Sequence, residues 1–284
     1  MESLVELSEQ FSRLSMFPFF DMAHYVASVM SAREQSGAVN VALQSPIASW
    51  FSAMLYCFGG GILSSVLLAE PPVSIFMNTT NILLASTIWY MVYYFPHDLF
   101  YKCFFFLPIR LMVAGMKEVT RTWKILAGIT HAHSHYKDAW LVMIIIGWAR
   151  GAGGGLISNF EQLVRGVWKP ENNELLKMSY PVKVTLIGAV LFTLQHGHYL
   201  PITRANLMFF YTLFLIVTKV TMMLTRSATS PFQPFENVLQ GILFGWLQTA
   251  NAVEEKPSSS DIKGRSAKNT EGKNTGEQKN KKDD

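Results

Sequence analysis

Seven apolar runs fill the first 225 residues, at 17–32, 46–68, 81–101, 107–127, 139–161, 180–196 and 205–224. A helix needs about 20 such residues to cross a bilayer core, so the pattern predicts an all-α membrane protein with seven transmembrane helices. Several runs depart from the ideal. The third meets Pro96, the fourth carries several charges, and the first and sixth are close to the lower length limit. Residues 1–16 precede the first run, and 227–284 read as a largely disordered tail whose last 30 residues are almost wholly polar.

The runs repeat a plan. Phe17-Pro18 opens the first, Ser45-Pro46 opens the second, and Gly59-Gly60-Gly61 lies within the second; Leu107-Pro108 opens the fourth, and Gly153-Gly154-Gly155 lies within the fifth. The distance from proline to glycine triplet is 41 residues in one case and 45 in the other. Residues 17–101 and 102–196 are therefore expected to form two units of three helices. Three is odd, so the second unit is inverted relative to the first, and 197–226 adds a seventh helix. Each glycine inside a helix costs about 1 kcal/mol relative to alanine. Close helix packing through small residues would compensate. So would two kinked helices whose released carbonyls face water or a cation. The matched positions favour the kinked, pore-lining alternative.

Composition sharpens the membrane assignment. Only 15 % of residues are charged, against about one quarter in soluble domains. The net charge of +4 does not point to nucleic acid, because residues 254–284 balance eight Lys or Arg against seven Asp or Glu. Cys57 and Cys103 are expected as free thiols. Residues 1–16 contain no apolar signal core, so the first membrane helix is expected to direct insertion. Arg33, Lys102, Arg110, Arg165, Lys169 and Lys177 fall on the side of the basic tail, and Arg13, Lys137 and Arg204 on the other. By the positive-inside rule the N-terminus is lumenal and the C-terminus cytosolic. Asn78-Thr79-Thr80 then forms a lumenal sequon. Lys281 and Lys282, third and fourth from the C-terminus, are expected to serve as a retrieval address for the endoplasmic reticulum, the alternative being a generic charged tail.

Candidate chemistry lies in the charges at membrane depth, each costing roughly 2.5–3.5 kcal/mol unless paired or hydrated. They are Asp21, Lys117, Glu118, Arg121, Lys124, Arg150 and Lys219. Lys117, Arg121 and Lys124 share one helix face, and Glu118 can reach Arg121 but cannot neutralise all three. This face can sense voltage, bind an anionic lipid phosphate, or snorkel from a helix end. Arg150 precedes the second glycine triplet, where it either controls access to a path or pairs with Asp21. His131, His133 and His135 alternate in a predicted lumenal loop. A helix would split them, so no metal is expected. Trp50, Trp89, Trp140 and Tyr199 are expected as interfacial anchors. No nucleophile elbow, zinc-protease motif or P-loop is present, and no paired carboxylates lie at membrane depth, so enzyme function has no positive support.

The segments FPFFDMAHY, SPIASWFSAML, FGGGILSS, GMKEVTRTWK, GWARGAGGG, NFEQLVRGVWKP and MSYPVKVTL resemble the trimeric intracellular cation channel family, type B, over residues 10–246. The resemblance implies a homotrimer with one pore per subunit. It also implies potassium conduction across the endoplasmic or sarcoplasmic reticulum, offsetting charge moved by calcium-release channels. It places a phosphatidylinositol 4,5-bisphosphate site at Lys117 and Arg121, and pore-helix kinks at Gly59, Gly60, Gly61, Gly153, Gly154 and Gly155. Lys117, Arg121, Lys124, Arg150 and Lys219 stand as gating candidates. A secondary transporter built from inverted repeats is the main alternative, and a seven-span receptor or scaffold is a third.

Overall fold

The protein is described by a computed structural model that covers residues 2–168, 174 and 178–225. Each predicted run contains a helix, and local chemistry sets the ends. An unforeseen short helix, α1 (Glu2–Ser12), comes first. Helix α2 (Phe19–Arg33) follows Pro18, and Gly37 at φ 78° turns the chain into α3 (Ala38–Gln44). Helix α4 (Pro46–Leu67) opens with proline in its first turn, and the Ser45 hydroxyl accepts from the Ala48 amide at 3.4 Å. Both features satisfy or remove amides that a helix start leaves unpaired.

Helix α4 closes in a Schellman turn. The Glu70 amide donates to the Ser65 carbonyl at 2.8 Å and the Ala69 amide to Val66 at 3.2 Å, with Ala69 at φ 57° where glycine is usual. A 3-10 segment, Pro72–Met77, leads into α5 (Thr79–Tyr94), capped by the Asn78 side chain, and a second, Pro96–Asp98, follows α5. Then come α6 (Leu99–Phe105), α7 (Leu107–His135), α8 (Trp140–Leu156), α9 (Ser158–Val164), α10 (Tyr180–His196) and α11 (Arg204–Thr225).

The boundaries correct the sequence reading in three places. The third run stops at Tyr94 because Pro96 cannot continue the helix, and residues 99–105 form the separate α6, which meets α7 at 66°. The fourth run does not end near 127. Nothing in 128–135 breaks a helix, so α7 runs on to His135 through the predicted loop. Helix α4 passes through Gly59–Gly61 without interruption, while Gly153–Gly155 fill the last turn of α8, before a break at Ile157.

Among the described residues three stretches are long and apolar enough alone to cross a membrane, Pro46–Leu67, Trp140–Val164 and Arg204–Thr225, and the bent α6–α7 pair makes a fourth if it is one span. Helices α2, α5 and α10 have 15, 16 and 17 residues, short of the usual about 20.

Two apolar centres organise the helices. Tyr25 and Val29 of α2, Met54 and Phe58 of α4, and Ile88 and Val92 of α5 form one. Trp50 donates to Ser86 at 2.9 Å and Trp89 to Ser49 at 3.1 Å, a reciprocal pair that stitches α4 to α5. These indoles serve helix pairing, not only the interface role expected of them. On α7, α8, α10 and α11, the residues Ile125, Ile129, Ile146, Val182, Phe192 and Leu215 are fully buried. Helix α1 lies on α11, with Ser8 donating to Asn206 at 2.6 Å and the Phe11 ring edge-on to Trp123 and Phe209. Lys169, Lys177 and the tail with Lys281 and Lys282 lie outside the described residues.

Candidate functional site

The two glycine triplets meet where α4 crosses α8. A methyl group on Gly60 would collide with the Arg150 carbonyl oxygen, and one on Gly153 would collide with the Gly60 backbone. Gly59 faces the Gly153 carbonyl, whereas Gly61 faces only the flexible Ile75 side chain. Close approach is thus one function of the triplets, and Gly60, Gly154 and Gly155 also line a cavity beside the crossing.

That cavity has a volume of about 530 Å³. His24 of α2, Cys57 of α4, Lys117, Arg121 and Lys124 of α7, Arg150 of α8 and Lys219 of α11 all border it. The structure therefore gathers every basic gating candidate around one space. No Asp21–Arg150 ion pair is found among the described residues, and Arg150 Nη1 lies 3.2 Å from His131 Nδ1.

The basic face is not uniform. Arg121 Nε donates to Glu118 at 2.6 Å and Nη2 to the other carboxylate oxygen at 3.2 Å. Its Nη1 reaches Thr185 Oγ1 at 3.0 Å, the Pro181 carbonyl at 3.3 Å and the Gly151 carbonyl at 3.4 Å. Arg121 thereby ties α7 to α8 and α10, and most of its donors are used internally. Glu118 is 1 % exposed, so this is a buried two-point pair whose rupture would strand a charge.

Lys117 and Lys219 have no ion pair among the described residues. Lys124 Nζ lies 2.6 Å from His24 Nε2, and the same ring nitrogen lies 3.0 Å from the Cys57 carbonyl. An ammonium only donates and a carbonyl only accepts. With Lys124 charged, His24 Nε2 can therefore satisfy one or the other, and the two bonds are alternatives. This makes His24 a cavity residue that the sequence reading missed, since a single histidine in an apolar run gave no signal.

A second cavity, of about 860 Å³, touches Trp123, Thr130, His131 and Ser134 of α7 and Arg204 of α11. Arg150 lines both cavities. The first extends along α7 from Arg110 to Lys124, the second from Trp123 to Ser134. Helix α7 has 29 residues and is therefore about 44 Å long at about 1.5 Å per residue, more than the thickness of a bilayer core. The two cavities thus lie along different parts of α7, and Arg150 borders both.

Comparison with known proteins decides the family. The TRIC channel profile matches residues 35–226. The chain belongs to the TRIC channel family. Trimeric intracellular cation channel type B-B of Xenopus laevis is 78 % identical over the full length of both chains. The human type B channel is 59 % identical over 88 % of this chain and 86 % of its own. A solved structure described as "Structural basis for activity of TRIC counter-ion channels in calcium release" shares 85 % identity at a TM-score of 0.77, covering 78 % of this chain and 99 % of that one. This TRIC chain is of type B, and it is an ion channel, not an enzyme.

Proposed function

We propose that this TRIC channel conducts potassium through a path within each subunit, formed by the two cavities and closed between them by Arg150 and Lys124. The observation that carries this reading is the shared lining of both cavities by Arg150, with Lys124 held against His24 nearby. A basic side chain in a narrow, poorly hydrated passage repels cations, so displacement of either side chain opens the path. Moving one charge through 100 mV changes its energy by about 2.3 kcal/mol, which makes Lys117, Lys124, Arg150 and Lys219 voltage-responsive.

In this reading the seven helices α2, α4, α5, α7, α8, α10 and α11 all cross the membrane, the short ones being embedded among neighbours. Two inverted three-helix units and a seventh helix make one subunit, and three subunits assemble as the names of the relatives describe. The membrane is that of the endoplasmic or sarcoplasmic reticulum, with the N-terminus lumenal. The current balances charge moved by calcium-release channels, as described for the 85 % identical structure. A phosphatidylinositol 4,5-bisphosphate headgroup binds at Lys117 with Arg121 behind it, where its phosphates offset the charge that Glu118 leaves uncompensated.

Recording purified protein in planar bilayers under asymmetric potassium and sodium tests the reading. Unitary currents reversing toward the potassium equilibrium potential are expected. Slow, saturable, coupled flux without discrete openings would establish a carrier instead, and no conductance would fit a receptor or scaffold. Replacing Lys117 and Arg121 together by glutamine is expected to weaken phosphoinositide binding, and unchanged lipid binding would remove the lipid from the mechanism.

A further inference from the structure

The extension of α7 to His135 changes what its histidines can do. On a helix His131 and His135 share one face at i, i+4, a spacing that brings two imidazoles to one metal ion, while His133 turns away and packs edge-on to His196 at 4.5 Å between ring centres. Glu70 approaches the pair from the turn that closes α4. Its Oε1 lies 2.8 Å from His131 Nε2 and 2.9 Å from His135 Nε2, and the three ligand atoms all lie within 4.8 Å of one another. The Schellman turn with Ala69 in the left-handed region, followed by Pro71-Pro72, aims Glu70 at the histidines.

The geometry points to a divalent transition-metal site formed by Glu70, His131 and His135, whose occupation releases Arg150 from His131. The ion class follows from the donors. Two imidazole nitrogens and one carboxylate oxygen suit zinc and its neighbours, which hold such ligands at about 2.0–2.2 Å with a water in the open position. Calcium takes six to eight oxygens, and this set offers one carboxylate. All three side chains retain solvent exposure, at 24 % for Glu70, 33 % for His131 and 45 % for His135, so an ion can enter without opening the fold.

The coupling follows from where a proton can sit. An arginine only donates, so the 3.2 Å contact from Arg150 requires a lone pair on His131 Nδ1 and places the ring proton on Nε2, facing Glu70. A metal ion takes the Nε2 lone pair. The neutral ring then carries its proton on Nδ1, and two donors face each other. Arg150 must leave. Because Arg150 lines both cavities, the ion bound at the His135 end of α7 resets the side chain that divides the path. This last step rests on the conduction reading; binding of the ion does not.

Cobalt(II) titration of the purified full chain, read by visible absorption and by displacement with zinc, tests the site. One ion per chain is expected, displaced by zinc and not by millimolar calcium. His135→Gln and, as a second variant, Glu70→Gln are each expected to weaken binding by more than about tenfold, the lower end of what even residues supporting a ligand contribute. Binding equal to wild type in both variants overturns the site. Arg150→Gln removes the competing donor and is expected to tighten binding, which a purely structural arginine would not do; unchanged or weaker binding overturns the coupling. In bilayers, zinc added on the His135 side is expected to alter open probability in wild type and not in His135→Gln. Zinc binding without any effect on existing currents overturns the coupling and leaves the site standing. Absence of currents in metal-free wild type is a failure of the conduction reading, and the cobalt titration then decides the site alone.

Discussion

The groups α2–α4–α5 and α7–α8–α10 divide polarity differently. The first keeps its ion pairs at its ends, where Arg33 meets Asp98 at 2.9 Å and Arg110 of α7 meets Glu34 at 3.2 Å, and its centre is apolar and aromatic. The second carries the buried Glu118–Arg121 pair, Lys117, Lys124 and Arg150 through its middle. Each charge in the second group is compensated by a bond or a cavity. The contrast sets an apolar, aromatic packing centre in the first group against the charged cavity lining of the second, with the glycine crossing of α4 and α8 joining them; on the proposed function it is the second group that controls the path.

Breaking the contrast at its most buried point has the largest effect. Glu118→Gln leaves the Arg121 guanidinium without its counter-charge, and a loss of about 3–5 kcal/mol is expected. Thermal unfolding of the purified protein in detergent measures it. Glu34→Gln is the paired control on the first group. Its pair with Arg110 is well exposed, so a change within about 1 kcal/mol is expected.

The crossing comes next. Gly60→Ala and Gly153→Ala each force backbone against backbone, and a cost of about 1–3 kcal/mol is expected for each. Because both lie at the one crossing of α4 and α8, where a single shift of the helices relieves both collisions, the double variant should cost less than the sum. Gly61→Ala meets only the end of Ile75 and should change the same melting measurement by less than about 1 kcal/mol. Equal losses at Gly60 and Gly61 would show that helix flexibility, not packing, is what the triplet provides.

Smaller stability effects follow at Lys124 and Ala69. Lys124→Gln removes a charge held by one histidine contact, so melting should hardly move while unitary conductance and open probability change in bilayer recordings. Ala69→Gly relieves a left-handed conformation and is expected to raise stability by up to about 1 kcal/mol, read from the same melting curves.

Much of this was legible in the sequence, and the misses have physical causes. Every apolar run contained a helix, because hydrophobic length is the strongest signal a membrane sequence carries. The shared face of Lys117, Arg121 and Lys124 and the reach of Glu118 to Arg121 followed from helical spacing alone. The glycine triplets were placed correctly and their conformation in α4 was not. Glycine permits a kink, and whether one forms depends on what lies opposite, here the Arg150 carbonyl. The histidines were read as a loop because polarity marks the end of an apolar run, yet polarity alone does not unwind a helix; residues 128–135 contain no proline. Extending α7 by two turns would have put His131 and His135 on one face. Glu70 lies 61 residues from His131, and no local pattern links them.

The docking of α1 has a consequence for biogenesis. Ser8 and its partner Asn206 are separated by 198 positions, so α1 cannot complete its seat until α11 has been made. Before then Phe11 can meet Trp123 of α7 but not Phe209 of α11. Subunit maturation therefore ends with the two extremities of the described chain closing over each other.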